Sequence, residues 1–324
     1  MIKYIFCILF LFILINGCRE FDSDVRINQT DQSGVLELIS INNQFRDEIF
    51  SIAQLTPTAL LAGSDSGRIF KISPSTGTVE LYSSYEGSGY IIAVQPADSS
   101  VVVLLNSNSE VGISKNGGLS WTNWSGNFGP KIILTLYYYF STQYFYIGTT
   151  DGLIYKRSLA DTNWSPVTNL YRPVTSFTSP DSISLYAGTW SSGIFKINLG
   201  TKLIEGVNSG LLNPYIQMLH AGRNNKLFAA TYGSGVFCSS NNGISWSNYS
   251  NIIDTCKIIH ISTNSNNDLI ATTNAELYII KNNPTLYSNG IFYSSDILIN
   301  TLLVDINDNI YIGANNGVFR ANQR

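Results

Sequence analysis

Short apolar runs separated by turns rich in Gly, Asn and Ser follow one another along most of the chain. One of these runs recurs seven times, with 40 to 43 residues between successive copies. We call the last residue of this run the anchor, and it is small in six of the seven copies. The anchors are Gly63, Leu105, Gly148, Gly188, Ala230, Ala271 and Gly313. A repeat of this length, built from short strands and polar turns, is typical of a β-propeller blade.

Two further runs accompany each anchor. A nearly continuous apolar run precedes it, as in Ile132–Phe140, and predicts a buried innermost strand. The run contains three consecutive tyrosines, Tyr137–Tyr139, and we expect them to pack in the core rather than to form a ligand-binding surface. After the anchor come a polar turn and an aliphatic–aromatic pair, except in the second repeat, and we expect these pairs to fill the space between blades. The pairs are Ile69-Phe70, Ile154-Tyr155, Ile194-Phe195, Val236-Phe237, Leu277-Tyr278 and Val318-Phe319.

The two ends of the repeat array complement each other. The last repeat stops after its third strand, whereas an extra strand, Gly34–Ile41, precedes the first repeat and resembles the fourth strand Gly77–Ser84. An N-terminal strand that completes the last blade would leave no open sheet edge. The sequence therefore predicts an all-β fold over residues 34–324: a seven-bladed propeller of four-stranded antiparallel blades, closed by the N-terminal strand.

The first residues have the features of a secretory signal. Lys3 precedes the apolar run Tyr4–Ile15, which is shorter than the roughly 20 residues of a membrane span. The stretch Ile15–Cys18 resembles the lipobox of bacterial lipoproteins, which implies a signal peptide over residues 1–17 and a lipid on Cys18. A plain cleaved signal and an uncleaved anchor are the alternatives. Each places the protein outside the cytoplasm, and we expect a lipid-anchored envelope protein, of the outer membrane, facing the periplasm or the exterior.

The composition of the chain limits the classes of partner and cofactor that we expect. Residues 18–33 are polar without periodicity and predict a flexible tether. The chain has 19 basic and 22 acidic residues and a pI near 5.4, so we do not expect nucleic acid as a partner. Beyond the leader, the cysteines are Cys238 and Cys256, and their pairing stays open. No nucleotide, phosphate or zinc motif occurs, so we expect neither cofactor nor metal. The only histidines, His220 and His260, lie on predicted innermost strands.

Two octapeptides, Ser114–Trp121 and Ser239–Trp246, fit the pattern S-x-(D/N)-x-G-x-S-W. This pattern resembles the Asp-box (BNR repeat) of sialidase-like propellers. Both boxes fall at the turn from the third to the fourth strand, on the side away from the usual ligand face. We expect a structural role, with an asparagine capping the turn, a glycine at positive φ and a tryptophan packing between strands. The residues concerned are Ser114, Asn116, Gly118, Trp121, Ser239, Asn241, Gly243 and Trp246.

The sialidase resemblance implies an arginine triad, a tyrosine–glutamate pair and an acid/base aspartate. Arg46, Arg68 and Arg172 fall on connections of the ligand face, but Arg46 lacks the isoleucine and proline that follow the arginine in the family. Sialidase catalytic domains also have six blades. Other glycosidases need two carboxylates across a cleft. Asp65, Glu110, Asp151 and Glu276 lie on ligand-face connections of different blades, and their spacing singles out no pair. The stretch Asp305–Asn309 reads as a tight turn rather than a calcium loop.

Blade segments also resemble the periplasmic sensor propellers of two-component regulators. The segments are 145–156, 185–196 and 310–320. This resemblance implies the fold and leaves a stand-alone sensory role as one alternative, because one fold hosts many functions.

The sharpest binding prediction concerns two aromatic residues. Trp190 and Tyr232 each stand two residues after an anchor, on neighbouring blades, where they could anchor a peptide or stack on a sugar. We expect a non-catalytic binding or assembly scaffold with a protein or glycan partner. A glycan-cleaving enzyme is the first alternative. The candidate binding residues are Trp190, Tyr232, Asp65, Arg68, Asp151 and Glu276.

Overall fold

The computed structural model describes residues 36–323, apart from 87–88, 127, 250–255, 283–289 and 294–295. The predicted signal peptide, the tether and Cys18 lie outside the described residues, as do the first two residues and the last residue of the predicted propeller domain. Among the described residues, no helix is long and apolar enough to cross a membrane.

The described chain forms seven four-stranded antiparallel sheets. Each sheet is one blade, with strands a, b, c and d running from the innermost to the outermost position. Blades 1 to 3 are β2 Ile49–Thr56, β3 Ala59–Ser64, β4 Arg68–Ser73, β5 Thr78–Ser84; β6 Ile91–Pro96, β7 Val102–Asn106, β8 Val111–Ser114, β9 Thr122–Asn123; and β10 Ile133–Tyr139, β11 Tyr144–Thr149, β12 Leu153–Ser158, β13 Ser165–Asn169.

The remaining blades follow the same order. Blades 4 to 6 are β14 Val174–Thr178, β15 Ser184–Thr189, β16 Gly193–Asn198, β17 Ile204–Gly206; β18 Ile216–Ala221, β19 Leu227–Thr231, β20 Val236–Ser239, β21 Ser247–Asn248; and β22 His260–Thr263, β23 Leu269–Thr272, β24 Glu276–Ile280, β25 Gly290–Tyr293. Blade 7 is β26 Ile299–Val304, β27 Ile310–Ala314, β28 Gly317–Gln323 and β1 Leu36–Ser40.

The N-terminal strand closes the ring, as predicted. β1 pairs with β28 in antiparallel register from Leu36 opposite Gln323 to Ser40 opposite Phe319. The first and last described strands therefore share one blade, so that blade 7 has the same four-stranded form as the others.

The core lies between blades. Seven hydrophobic clusters of buried residues each join one blade to the next. The aliphatic members of the predicted pairs lie in this core, for example Ile69, Ile154 and Ile194, each 0% exposed. Tyr139, in the tyrosine run of blade 3, is buried in the cluster between blades 3 and 4. The expected packing role of these residues is confirmed.

The glycine anchors are small because a β-branched side chain of the next blade lies directly against each of them. A β-carbon on Gly63 would lie 2.5 Å from Cγ2 of Ile91, and one on Gly188 would lie 2.7 Å from Cγ2 of Ile216. Such β-branched residues recur once per blade, at or just before strand a, and none is more than 2% exposed. They are Ile49, Ile91, Ile133, Val174, Ile216, Ile258 and Ile299.

Candidate functional site

The turns of each blade divide between two faces of the propeller. The a–b and c–d turns share one face, shown by the N–H of Gly117 donating to the carbonyl of Ser100 at 2.7 Å. The b–c turns and the d–a connections share the other, shown by the N–H of Trp190 donating to the carbonyl of Pro173 at 2.9 Å. We call the first the box face, because both octapeptides lie on it, and the second the entrance face.

The first box is a self-capped turn. The Ser114 hydroxyl donates to Oδ1 of Asn116 and accepts the N–H of Gly118 at 2.8 Å, while Oδ1 of Asn116 accepts the N–H of Ser120 at 3.0 Å. Gly118 has φ +96°. The second box repeats these bonds with Ser239, Asn241, Gly243 and Ser245. The two octapeptides therefore adopt one hydrogen-bonded structure.

The box tryptophans join neighbouring blades. Nε1 of Trp121 donates to the Ser83 hydroxyl of blade 1 at 3.0 Å, and Nε1 of Trp246 donates to the Val207 carbonyl, which follows the outer strand of blade 4, at 2.7 Å. Trp164, which follows the c–d turn of blade 3, donates in the same way to the carbonyl of Trp124 at 2.9 Å. Its turn lacks the octapeptide spacing, so the pattern search missed it. These contacts favour a structural role for both boxes.

The predicted charged residues of the entrance face are held in ion pairs and turn contacts. Arg68 lies 2.7 Å from Asp65 and 2.6 Å from Asp47. The hydrogen bond that Arg68 donates to Asp65 is the main cause of the raised pKa of Arg68, and it outweighs the effect of burial. Arg46 and Arg172 are exposed, and each donates to the carbonyl of the preceding residue. The three arginines thus make separate contacts rather than a shared grip on one group.

The remaining carboxylates lie in different blades, each with its own partner. Asp151 pairs with Lys131 at 2.5 Å, and although burial raises the pKa of Asp151, hydrogen bonds from Lys131 and Thr149 outweigh it and the net pKa is lowered. Glu276 accepts the hydroxyl of Tyr278 at 2.6 Å. The structure does not bring Asp65, Asp151 and Glu276 together into one cleft.

Trp190 and Tyr232 do come together. Their ring centroids are 5.2 Å apart in an edge-to-face arrangement, and the ring of Tyr215 lies 5.3 Å from that of Trp190. Nζ of Lys257 lies 4.8 Å from the centroid of Tyr232. We call these four residues the aromatic platform. Trp190, Tyr232 and Lys257 are half-buried, whereas Tyr215 is 41% exposed.

Backbone and side-chain hydrogen bonds hold the platform in place. The N–H of Tyr232 donates to the carbonyl of Tyr215 at 3.0 Å, and Nδ2 of Asn213 donates to the carbonyl of Tyr232 at 3.0 Å. Thr189, just before Trp190, caps its own turn by donating to the carbonyl of Gly193 at 2.8 Å. The rings therefore sit on rigid turns, which reduces the entropy that a partner must overcome on binding.

Aromatic residues at this position are not a requirement of the fold. The residue two places after the anchor is aromatic only in blades 4 and 5, and it is polar and non-aromatic in the other five. Those five residues are Asp65, Ser107, Thr150, Thr273 and Asn315. Since five blades close without an aromatic residue here, the two rings are specific to this sector of the entrance face.

Other exposed side chains lie on the same face of blades 4 and 5. Tyr171 is 75% exposed and Leu212 is 80% exposed, and both belong to d–a connections. Sequence reasoning missed Tyr215, Lys257 and these two residues, because d–a connections vary in length and carry no fixed spacing. What does recur in these connections is a β-branched residue, and in the sequence it comes directly after Tyr215 and after Lys257.

The histidines, the cysteines and the turn at Asp305 lie away from the platform. His220 and His260 lie on innermost strands as predicted, and burial lowers the pKa of both to about 4. No group of three or more metal-ligating side chains occurs within the described ranges. Cys238 and Cys256 are buried and are not joined in a disulfide. Asp305 accepts the N–H of Asn309 at 2.8 Å, which confirms the tight turn.

A recess of about 500 Å³ lies between blades 1 and 2. It is lined by Tyr85, Glu86 and Glu110 together with Leu119 to Trp121 of the first box. Glu110 accepts Nδ2 of Asn106 at 2.7 Å. Two carboxylates and an indole ring therefore line one recess, next to a box that sequence reasoning had set aside as distant from any ligand.

Comparisons with known proteins agree on the fold. No family model and no curated protein matches the sequence. An extracellular domain assigned to the hybrid two component system BT3049 of B. thetaiotaomicron matches with a TM-score of 0.69 and 16% identity, over 89% of this chain and 41% of that chain. The chain thus spans about two fifths of that protein's length.

Two further matches cover nearly the whole of their own chains. YCF48, solved bound to D1 peptide, has a TM-score of 0.67 and 13% identity over 89% of this chain and 97% of that one. The WD40 β-propeller domain of Doa1 has a TM-score of 0.70 and 12% identity over 90% and 98%. The class is therefore a seven-bladed β-propeller, whose neighbours include extracellular and WD40 domains.

Proposed function

We propose that this chain is a binding scaffold of the cell envelope that recognises a partner protein through the aromatic platform. The observation that carries the proposal is the contact of Trp190 with Tyr215 and Tyr232 in a sector where the fold does not require aromatic residues. Tryptophan and tyrosine dominate binding energy at protein interfaces, because they present large rigid surfaces.

The surroundings of the platform favour a protein segment. Leu212 and Tyr171 add exposed apolar area, and Lys257 and Arg172 add positive charge on the same face. A segment with apolar and acidic side chains complements this surface. YCF48, a propeller of similar extent, was solved with a bound peptide, which supports peptide recognition by this architecture. The secretory signal and the extracellular neighbours support the envelope location.

The test is recovery of partners from cells after crosslinking. The double variant Trp190→Ala/Tyr232→Ala should lose the partner, whereas Leu81→Ala, an exposed substitution on an outer strand, should keep it. Thermal unfolding of the double variant checks that the fold persists. Retention of the partner by the double variant would contradict the proposal. Recovery of a glycan instead would assign a carbohydrate ligand, and recovery of a membrane kinase would assign the sensory role.

Glycoside hydrolysis at the recess is a second candidate, favoured by Glu86, Glu110 and Trp121 on its walls. Two carboxylates on opposite sides of a cleft are the groups that such chemistry uses. Purified protein should then cleave envelope oligosaccharides, and Glu110→Gln should abolish the cleavage. Absence of cleavage across a panel of such substrates would remove this candidate.

A further inference from the structure

Large apolar side chains are exposed on the box face of four consecutive blades. They occupy a–b and c–d turns of blades 2 to 5, and their exposed fractions range from 48% to 78%. We call these six residues the crescent: Leu119, Phe140, Leu159, Ile183, Leu203 and Ile244. Leu119 and Ile244 are the same position of the two boxes, just before the second serine.

The two faces differ in this respect. With Ile306, the box face of the described chain carries seven exposed large apolar residues, all aliphatic or phenylalanine. The entrance face carries four, two of them tyrosines, and the outer strands carry three. Single exposed apolar residues are ordinary on a protein surface, whereas their concentration on one face favours an interaction surface there.

In these turns, the acidic and the basic side chains make different contacts. The carboxylates cap their own turns: Asp98 accepts the N–H of Val101 at 2.7 Å, Asp181 accepts the N–H of Ile183 at 2.8 Å, and Asp161 accepts the N–H of Ser158 at 2.8 Å. Three cations of the same face, Lys115, Lys202 and Arg223, are exposed to solvent. Two others are half-buried: Lys226 donates to Asn282, and Lys281 pairs with Asp268. The outward-facing surface therefore combines apolar side chains with exposed cations, beside carboxylates that hydrogen bonds keep ionised, since these bonds lower the pKa of Asp98 and Asp161.

The chain also enters the fold at this face. Leu36, the first described residue, pairs with Gln323 at the end of β28, and β28 starts at the b–c turn of the entrance face. Strand β1 thus begins at the box face. Cys18, the predicted lipid site, is 18 residues upstream, a length of chain that spans at most about 60 Å.

We propose that the box face rests on the surface of a lipid bilayer, with the crescent inserted among the headgroups and the aromatic platform directed away from the membrane. Apolar side chains flanked by Lys and Arg are the composition that binds the bilayer interface, where the apolar groups enter the acyl boundary and the cations meet anionic headgroups. An N-terminal lipid would hold the chain at the membrane, and this face would set the orientation of the propeller on it.

The test places an environment-sensitive fluorescent amino acid at single positions of the full chain. The protein is bound to vesicles of phosphatidylethanolamine and phosphatidylglycerol that contain brominated lipid as quencher. A probe at Leu203 or Ile183 should be quenched several-fold more than a probe at Leu212 on the entrance face. Equal quenching at both faces, stronger quenching at Leu212, or a full chain that stays in the supernatant would each overturn the proposal.

A triple variant separates the surface from the anchor. Leu119→Ser/Leu159→Ser/Ile244→Ser should lower quenching of the Leu203 probe to the Leu212 level while the circular dichroism stays unchanged, because all three side chains are at least 48% exposed. The control Leu81→Ser/Leu212→Ser should leave quenching unchanged. Full quenching in the triple variant would show that the crescent does not contact lipid.

Discussion

The seam between blades 4 and 5 depends on the absence of a side chain at Gly188. A β-carbon there would lie 2.7 Å from Cγ2 of Ile216 and 2.7 Å from the Ser176 hydroxyl. Contacts this short do not occur between relaxed atoms, so Gly188→Ala must displace Ile216, which is fully buried in the seam. Overpacking of this kind costs about 1–3 kcal/mol.

Gly206→Ala is the matched control in the same blade. Its β-carbon would lie 3.5 Å from Nδ2 of Asn208, an ordinary contact, on the exposed outer strand. Replacing a glycine that needs no special conformation stabilises by about 0.4–1 kcal/mol through the unfolded chain. The two substitutions should therefore shift stability in opposite directions.

Thermal and urea unfolding measure the difference. For a chain of this size, a cost of 1–3 kcal/mol lowers the Tm by about 2–5 °C. In a chain that already carries Ile216→Ala, the β-carbon added at position 188 would lie 3.3 Å from the β-carbon at position 216. The stability lost through Gly188→Ala should therefore be smaller in that chain, by about 0.5 kcal/mol or more. Equal stability of Gly188→Ala and Gly206→Ala, or strict additivity with Ile216→Ala, would refute this packing argument.

Three further predictions concern the box, the histidines and the thiols. Ser239→Ala removes the acceptor of the buried Gly243 N–H and should destabilise by about 1–3 kcal/mol in urea, and Ser114→Ala should match it; no change in either would contradict the capping role. Burial lowers the pKa of His220 and His260 to about 4, against about 6.5 in the unfolded chain. The free energy of unfolding should therefore fall as the pH falls from about 6.5 to 4, by on the order of 1–3 kcal/mol per histidine. The double variant His220→Gln/His260→Gln should flatten this pH profile. Burial raises the pKa of Cys238 to about 11, so iodoacetamide should modify it only under unfolding conditions, and fast modification of the native protein would oppose this.

The periodic parts of the fold were predictable because a physical constraint repeats with them. Each glycine anchor faces a β-branched residue of the next blade, so the anchor spacing reports the blade spacing, and Gly63 and Gly313 carry the same constraint at the closing blades. The strand β1 was predictable for a similar reason, since a ring with one strand missing has an unpaired edge.

The site was predictable only in part. Trp190 and Tyr232 keep a fixed distance from their anchors, so the sequence placed them side by side. Tyr215 and Lys257 reach the platform from connections without fixed length, and only the folded chain brings them to it. The crescent was missed because both boxes were interpreted only as structural turns, and their spacing does not show that Leu119 and Ile244 are 53% and 73% exposed.

The central claim is that the aromatic platform binds a partner protein. It is tested most directly by a photoreactive phenylalanine at position 215, where the native tyrosine is 41% exposed, compared with the same group at position 81 on an outer strand. We predict a discrete protein adduct in cells from position 215 only, which disappears when Trp190→Ala/Tyr232→Ala is added. No adduct from position 215, or the same adduct from both positions, would contradict the account.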